Sequence, residues 1–113
     1  MSAAEVIREA RLRITNSDHH TIEMSARNAS GWMVLPTDPA AVRWCACGSI
    51  ALSCFRHNIL WLEQRWIIER LDRTAMRMFG LDIAHVNDRL GLGSVLTAMD
   101  AAVLDEPVLE SAA

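Results

Sequence analysis

The chain has 113 residues, 51% of them hydrophobic and 22% charged, which is the size and balance of one globular domain. A net charge of −3 gives no global attraction to nucleic acid or anionic lipid, and none of the 11 basic residues is a lysine. That excludes Schiff-base lysine chemistry and the phosphate-gripping lysine of a P-loop.

Residues 3–14 carry Ala3, Ile7, Ala10 and Ile14 at helical spacing, with Glu9 and Arg13 able to pair at i,i+4 on the solvent side. "TNSD" then breaks the helix with cap and turn formers. From there the period changes. Ile22, Met24 and Ala26 alternate with Thr21, Glu23 and Ser25, Arg27 to Gly31 is turn chemistry, and Trp32 to Leu35 returns. This predicts a short β-hairpin over about residues 21–35, supported by the helices because such a ribbon is unstable alone.

"PTDPAAV" reads as a helix start, with Thr37 or Asp38 as N-cap and Pro39 at the first helical position. The second helix, residues 39–55, is surrounded by apolar and small residues, as a buried central helix is. Gly48 inside it marks a place where a neighbour approaches closely.

A third helix over 59–79 buries Leu60, Ile67, Leu71, Ala75 and Met78 and ends at Gly80. Beside that stripe runs a second row, Ile59, Leu62, Trp66, Arg70, Arg73 and Arg77, apolar at its start and basic at its end. "LDIAHVND" is expected to be a short extended connector with Asn87 and Asp88 as turn formers. Ser94 caps a last helix to Val103, packing Val95, Leu96, Ala98, Met99 and Ala102.

The expected fold is therefore mainly α: about four helices around the central one at 39–55, plus the hairpin, in a single domain over 1–104. Residues 105–113 read as an acidic, frayed tail. The N-terminus lacks the apolar core of a signal peptide, and the longest uncharged run, Trp44 to Phe55, is short of the roughly 20 residues that span a bilayer. With 3 cysteines, an odd number, the expectation is a cytoplasmic protein with reduced thiols and no membrane contact.

Several segments taken together carry a resemblance. A-R-x-x-x-G at Ala26 to Gly31, "DPAAVRWCACGSI", "DIAHVND" and "VLTAMDAA" occur in that order. In this the chain resembles a family of short bacterial and phage proteins of unknown function, marked by a W-C-A-x-G segment and a later N-D pair. The match spans about residues 7–104, and its signature positions here are Trp44, Cys45, Ala46, Gly48, Asn87 and Asp88. The family's W-T-Q-G run is replaced by His20-Thr21-Ile22-Glu23, which puts in question any site built on that aromatic position. The resemblance implies an architecture and a set of positions, and no activity.

Cys45, Cys47, Cys54 and His57 suggest a zinc set by count. On one helix, however, Cys45 and Cys47 point about 200° apart, so no metal site is expected and the cysteines read as small core hydrophobes. A thiol enzyme is the sharper alternative, with Cys45 as nucleophile, His85 as base and Asp88 or Asn87 orienting it. Against it, Cys45 lies two turns inside the expected helix, beyond the N-terminal turn whose dipole lowers a thiol pKa.

The Asp88 carboxylate is expected instead to reach the Trp44 indole N–H and join the two signature motifs. His19 and His20 with Glu23 read as a solvated loop. The Trp66, Arg70, Arg73 and Arg77 row is either a surface for a protein partner or second copy, or a solvated face. In the solvated case Glu69 and Asp72 pair with Arg73 and its neighbours, and Trp66 lies under the hairpin or the last helix. Three arginines beside several acids make a nucleic-acid partner the weaker version. The sequence thus favours a non-enzymatic binding or regulatory module without a cofactor, acting through protein contact or self-association.

Overall fold

A computed structural model describes residues 1–105. Helix α1 spans Ala3–Ile14 and starts where expected, because Ser2 and Glu5 cap it reciprocally: the Glu5 N–H donates to Ser2 Oγ at 3.1 Å and the Ser2 N–H to Glu5 Oε1 at 3.0 Å. Val6, Ile7, Ala10 and Ile14 are its buried face. A 3-10 turn, Ser17–His19, follows, opened by the Asn16 side chain accepting the Asp18 N–H.

Strand β1, Ala26–Asn28, pairs with the returning Trp32–Leu35 segment only briefly, short of the hairpin the alternation predicts. Its strand partner in the sheet is β2, Ala41–Trp44, antiparallel, with Ala26 opposite Trp44 and Arg27 opposite Arg43. The chain does turn back after Asn28, whose Oδ1 accepts the N–H groups of Ser30 and Trp32. The return is brief: one bridge joins Arg27 to Met33, and Trp32, 73% exposed, has no core to enter.

Asp38 caps a turn, not a helix. Its Oδ1 accepts the Ala40 N–H at 2.8 Å and its carbonyl accepts the Ala41 N–H, which redirects Ala41 and Val42 into β2. The expected helix over 39–55 is therefore shortened to α2, Ala46–Arg56, whose N-cap is Cys45. From Ala46 to Cys54 α2 is the buried element predicted, with Ile50 and Cys54 in the core. Phe55 at its end is exposed. Gly48 behaves as its position demands, since a Cβ there would stand 2.0 Å from the Ser25 carbonyl oxygen.

Helix α3, Trp61–Phe79, buries Ile67, Leu71, Thr74 and Ala75. Leu60 precedes the first turn at its N-cap and is exposed, and Met78 also faces outward, so the predicted stripe is shorter at both ends. Gly80, at φ 71°, ends the helix in the left-handed region. The expected extended connector is helical instead. Asp82 caps a single turn α4, Ile83–His85, which runs into a π-type turn over Val86–Leu90 that buries Val86 and Asn87. Gly91, at φ 92°, then admits α5, Leu92–Leu104, three residues earlier than a Ser94 cap predicts.

The fold is thus mainly helical: among the described residues, five helices and one two-stranded antiparallel pair. Helix α1 lies against α2 and α5, and α5 also packs on α3. The start of the expected tail is held: Asp105 accepts hydrogen bonds from the Thr74 hydroxyl and from Arg77. Residues 106–113 of that tail lie outside the described residues. No helix among the described residues is long and apolar enough to cross a membrane.

Candidate functional site

Cys45, Ala46, Gly48, Asn87 and Asp88 come together at the N-terminus of α2. Asn87, 1% exposed, is the centre of the cluster. Its Nδ2 donates to the Thr21 carbonyl and to Asp88 Oδ1, each at 3.1 Å, which leaves Oδ1 as the acceptor. Oδ1 takes the Ala46 N–H at 3.1 Å and stands 2.7 Å from His20 Nε2, so that ring nitrogen carries the proton. Asp88 Oδ1 also accepts the Glu23 N–H at 2.8 Å. The N-D pair therefore pins residues 20–23 to the start of α2. A buried side-chain amide with every donor and acceptor engaged is a structural clamp.

Two expectations change here. Asp88 does not reach the Trp44 indole, whose N–H donates to the Pro36 carbonyl at 3.0 Å while Arg13 lies 5.8 Å over the ring. His20 is no solvated loop residue, since it is half-buried against Asn87; His19 is exposed.

Beside the clamp is a small cavity of about 200 Å³, lined by Cys45, Cys47, Asn87, Asp88, Glu23 and Ser25 among others. Cys45 and Cys47 share it, because Cys45 is the cap and does not continue the helical spiral. The Cys45 Sγ accepts the Gly48 N–H at 3.2 Å. The N-cap is where a helix favours a thiolate, yet burial outweighs that hydrogen bond, and the Asp88 charge adds to burial. The net effect raises the Cys45 thiol above its ordinary 9.0. Burial also raises Cys47, and lifts Cys54 to about 11.

The structure brings Asp88 to Cys45 but not His85, which is exposed and donates from Nδ1 to Asp82 at 2.7 Å. No histidine lines the cavity among the described residues. Cys54 is buried in the core and His57 is engaged with Glu9 at 2.9 Å, so the four residues counted as a zinc set are dispersed. No three His, Cys, Asp or Glu side chains converge to hold a metal among the described residues.

The second candidate region is the outward row of α3. Trp66 is 60% exposed and lies under neither the β-pair nor α5. It borders a groove of about 550 Å³ between the start of α1 and α3, with Met1, Ala3, Ile59 and Ile67 as apolar walls and Glu63, Glu69, Arg70 and Arg73 around them. Arg70 has a defined task. Its guanidinium donates to the carbonyls of Ala102 at 2.9 Å and Asp105 at 2.6 Å, capping the end of α5. Arg77 pairs with Asp105 at 3.0 Å. Glu69 pairs with Arg65, and Asp72 accepts the Ile83 N–H at 3.0 Å.

His20, Thr21 and Ser25 were not legible as site residues, for their partners are 20 or more residues away in sequence. Arg13, expected on the solvent side, instead donates to the Ser49 carbonyl and to the hydroxyls of Ser49 and Ser53. Two serines four residues apart on an otherwise apolar helix were the available signal. Comparison of the chain with protein-family models, with curated proteins and with solved structures returns no match.

Proposed function

We propose that this chain is a non-enzymatic binding module that works in a reducing cytoplasm and engages protein through the Trp66 face of α3. The observation that carries this is Trp66, 60% exposed beside a groove of about 550 Å³ with apolar walls. An exposed indole beside arginine is the chemistry of interface hot spots, and a groove lets a partner exclude water around it. The signature cluster at α2 serves as the scaffold that holds α2 and residues 20–25 in place. Its relation to the bacterial and phage family that the sequence resembles is part of the same proposal.

The thiol-enzyme alternative loses its base at His85, and the cavity at Cys45 favours the neutral thiol. Labelling the native protein with a small alkylating reagent at neutral pH tests the choice. The binding module predicts that Cys54 reacts only as the protein opens and that the half-buried Cys45 and Cys47 react no faster than an exposed reference thiol. A Cys45 that reacts many times faster than an exposed reference thiol overturns it.

A further inference from the structure

We infer that Cys45 and Cys47 form a dithiol site that small-molecule disulfides oxidise to an intramolecular disulfide across the start of α2. This chemistry involves neither the α3 face nor a histidine base.

The backbone sets the separation. Ala46, the single residue between the two cysteines, is helical, and the radius, turn and rise of a helix then put the Cys45 and Cys47 Cα atoms about 5.4 Å apart. A disulfide spans roughly 4.4–6.8 Å between Cα atoms. Cys45 itself is off the helical spiral, with ψ 174°, so its side chain folds back over the first turn of α2. Its sulfur accepts the Gly48 N–H at 3.2 Å and lies near enough to the Cys47 N–H for that group to favour the charged sulfur. Cys47 lines the same cavity of about 200 Å³. Cys54 is no rival partner. It is in the core, two turns beyond Cys47 and about 10 Å further along α2, past the reach of a disulfide.

Cys45 gives up its proton and attacks one sulfur of the small disulfide, whose S–S bond breaks, and one small thiolate leaves with the electron pair and takes up a proton. Cys47, deprotonated in turn, attacks the Cys45 sulfur, and the second small thiol leaves as the mixed disulfide breaks. Two electrons and two protons have then passed from the pair to the small disulfide. Burial raises both thiols, which slows the exchange and does not fix where it ends. The closed ring encloses Ala46, whose N–H is held by Asn87, so oxidation acts directly on the clamp.

Native protein equilibrated with oxidised glutathione at a fixed concentration of reduced glutathione and mildly alkaline pH, then acid-quenched and mapped by mass spectrometry, provides the test. The same mixtures in concentrated urea give the unfolded reference. The expected product is lighter by two hydrogens, with Cys45 joined to Cys47 and Cys54 free. Because the fold holds the two thiols together, that bond is half-formed at about tenfold less oxidised glutathione than in urea. Cys47→Ser stops instead at a mixed disulfide of glutathione on Cys45, with a circular dichroism melt to verify its fold. The wild-type comparison carries the test should that variant fail to fold. Native protein that forms no Cys45–Cys47 bond, or stops at mixed disulfides, overturns the inference. So does a bond that includes Cys54 or joins two chains, and so does a native midpoint no lower than the one in urea.

Discussion

The Asn87 side chain accepts the Ala46 backbone N–H at 3.1 Å, across 41 positions of sequence. A helix begins with N–H groups that lack intrahelical partners, and in α2 two of them are met by side chains: Gly48 N–H by Cys45 and Ala46 N–H by Asn87. The W-C-A-x-G segment and the N-D pair thus meet at one helix terminus.

Replacing Asn87 with Ala leaves the Ala46 N–H and the Thr21 carbonyl buried without that partner. The expected cost is about 2–4 kcal/mol in chemical denaturation, the range for breaking a buried polar network. A loss within error of zero removes the clamp from the account.

Glycine substitutions separate close packing from simple helix propensity. Gly48→Ala places a methyl group 2.0 Å from the Ser25 oxygen, so α2 must move away from residue 25. The expected loss is about 3 kcal/mol or more, or failure to fold. Gly93→Ala meets nothing within 4 Å and has ordinary φ, so it raises stability by up to about 1 kcal/mol. Thermal melts of the two variants should shift in opposite directions.

Arg13 ties α1 to α2 through the Ser49 carbonyl and the Ser49 and Ser53 hydroxyls. Arg13→Met keeps the stem and deletes the bonds. It should destabilise by about 2–3 kcal/mol in urea, more than an exposed arginine is worth.

Acid destabilises this fold through carboxylates held in their charged form. Asp105 is lowered from 3.8 by the Thr74 hydroxyl and Arg77, and Asp82 from 3.8 by the His85 N–H and side chain. Burial works against Glu9, but hydrogen bonds from His57 and Ser53 outweigh it and lower Glu9 from 4.5. Groups lowered in the folded state bind protons first in the unfolded one, so their contribution is complete above about pH 4.5 and fades as the pH falls through the folded values. Asp72, raised by burial, has the opposite sign and blunts the trend. Denaturation midpoints measured from pH 6 to pH 3 should fall, with a shallower slope in Asp105→Asn.

The chain wrote its helices plainly and its long-range pairings hardly at all. Helix α1 is legible to the residue because Ala3, Ile7, Ala10 and Ile14 recur at helical spacing up to the "TNSD" break, and Gly80 ends α3 for an equally local reason. The start of α2 was misplaced because Asp38-Pro39 fits a helix N-terminus and a turn equally well, and the choice lies in the pairing of Ala41–Trp44 with β1. Cys45 is accordingly the cap of α2 and not an interior residue. Gly48 correctly marked a close approach, although Ser25 as the neighbour is visible only in the fold. Of the candidate sites, the exposed α3 row could be read from periodicity, whereas the clamp around Asn87 joins residues 20, 21, 46 and 87, which no local pattern connects.

The protonation state of Cys45 decides most directly between scaffold and catalyst. Thiolate ultraviolet absorbance, followed against pH in a folded Cys47→Ala/Cys54→Ala variant, reports that thiol alone. With Cys45 half-buried beside Asp88, the absorbance should stay flat through neutrality and rise with a midpoint above pH 9.0. A rise complete by about pH 7, as in an activated thiol, would contradict the account.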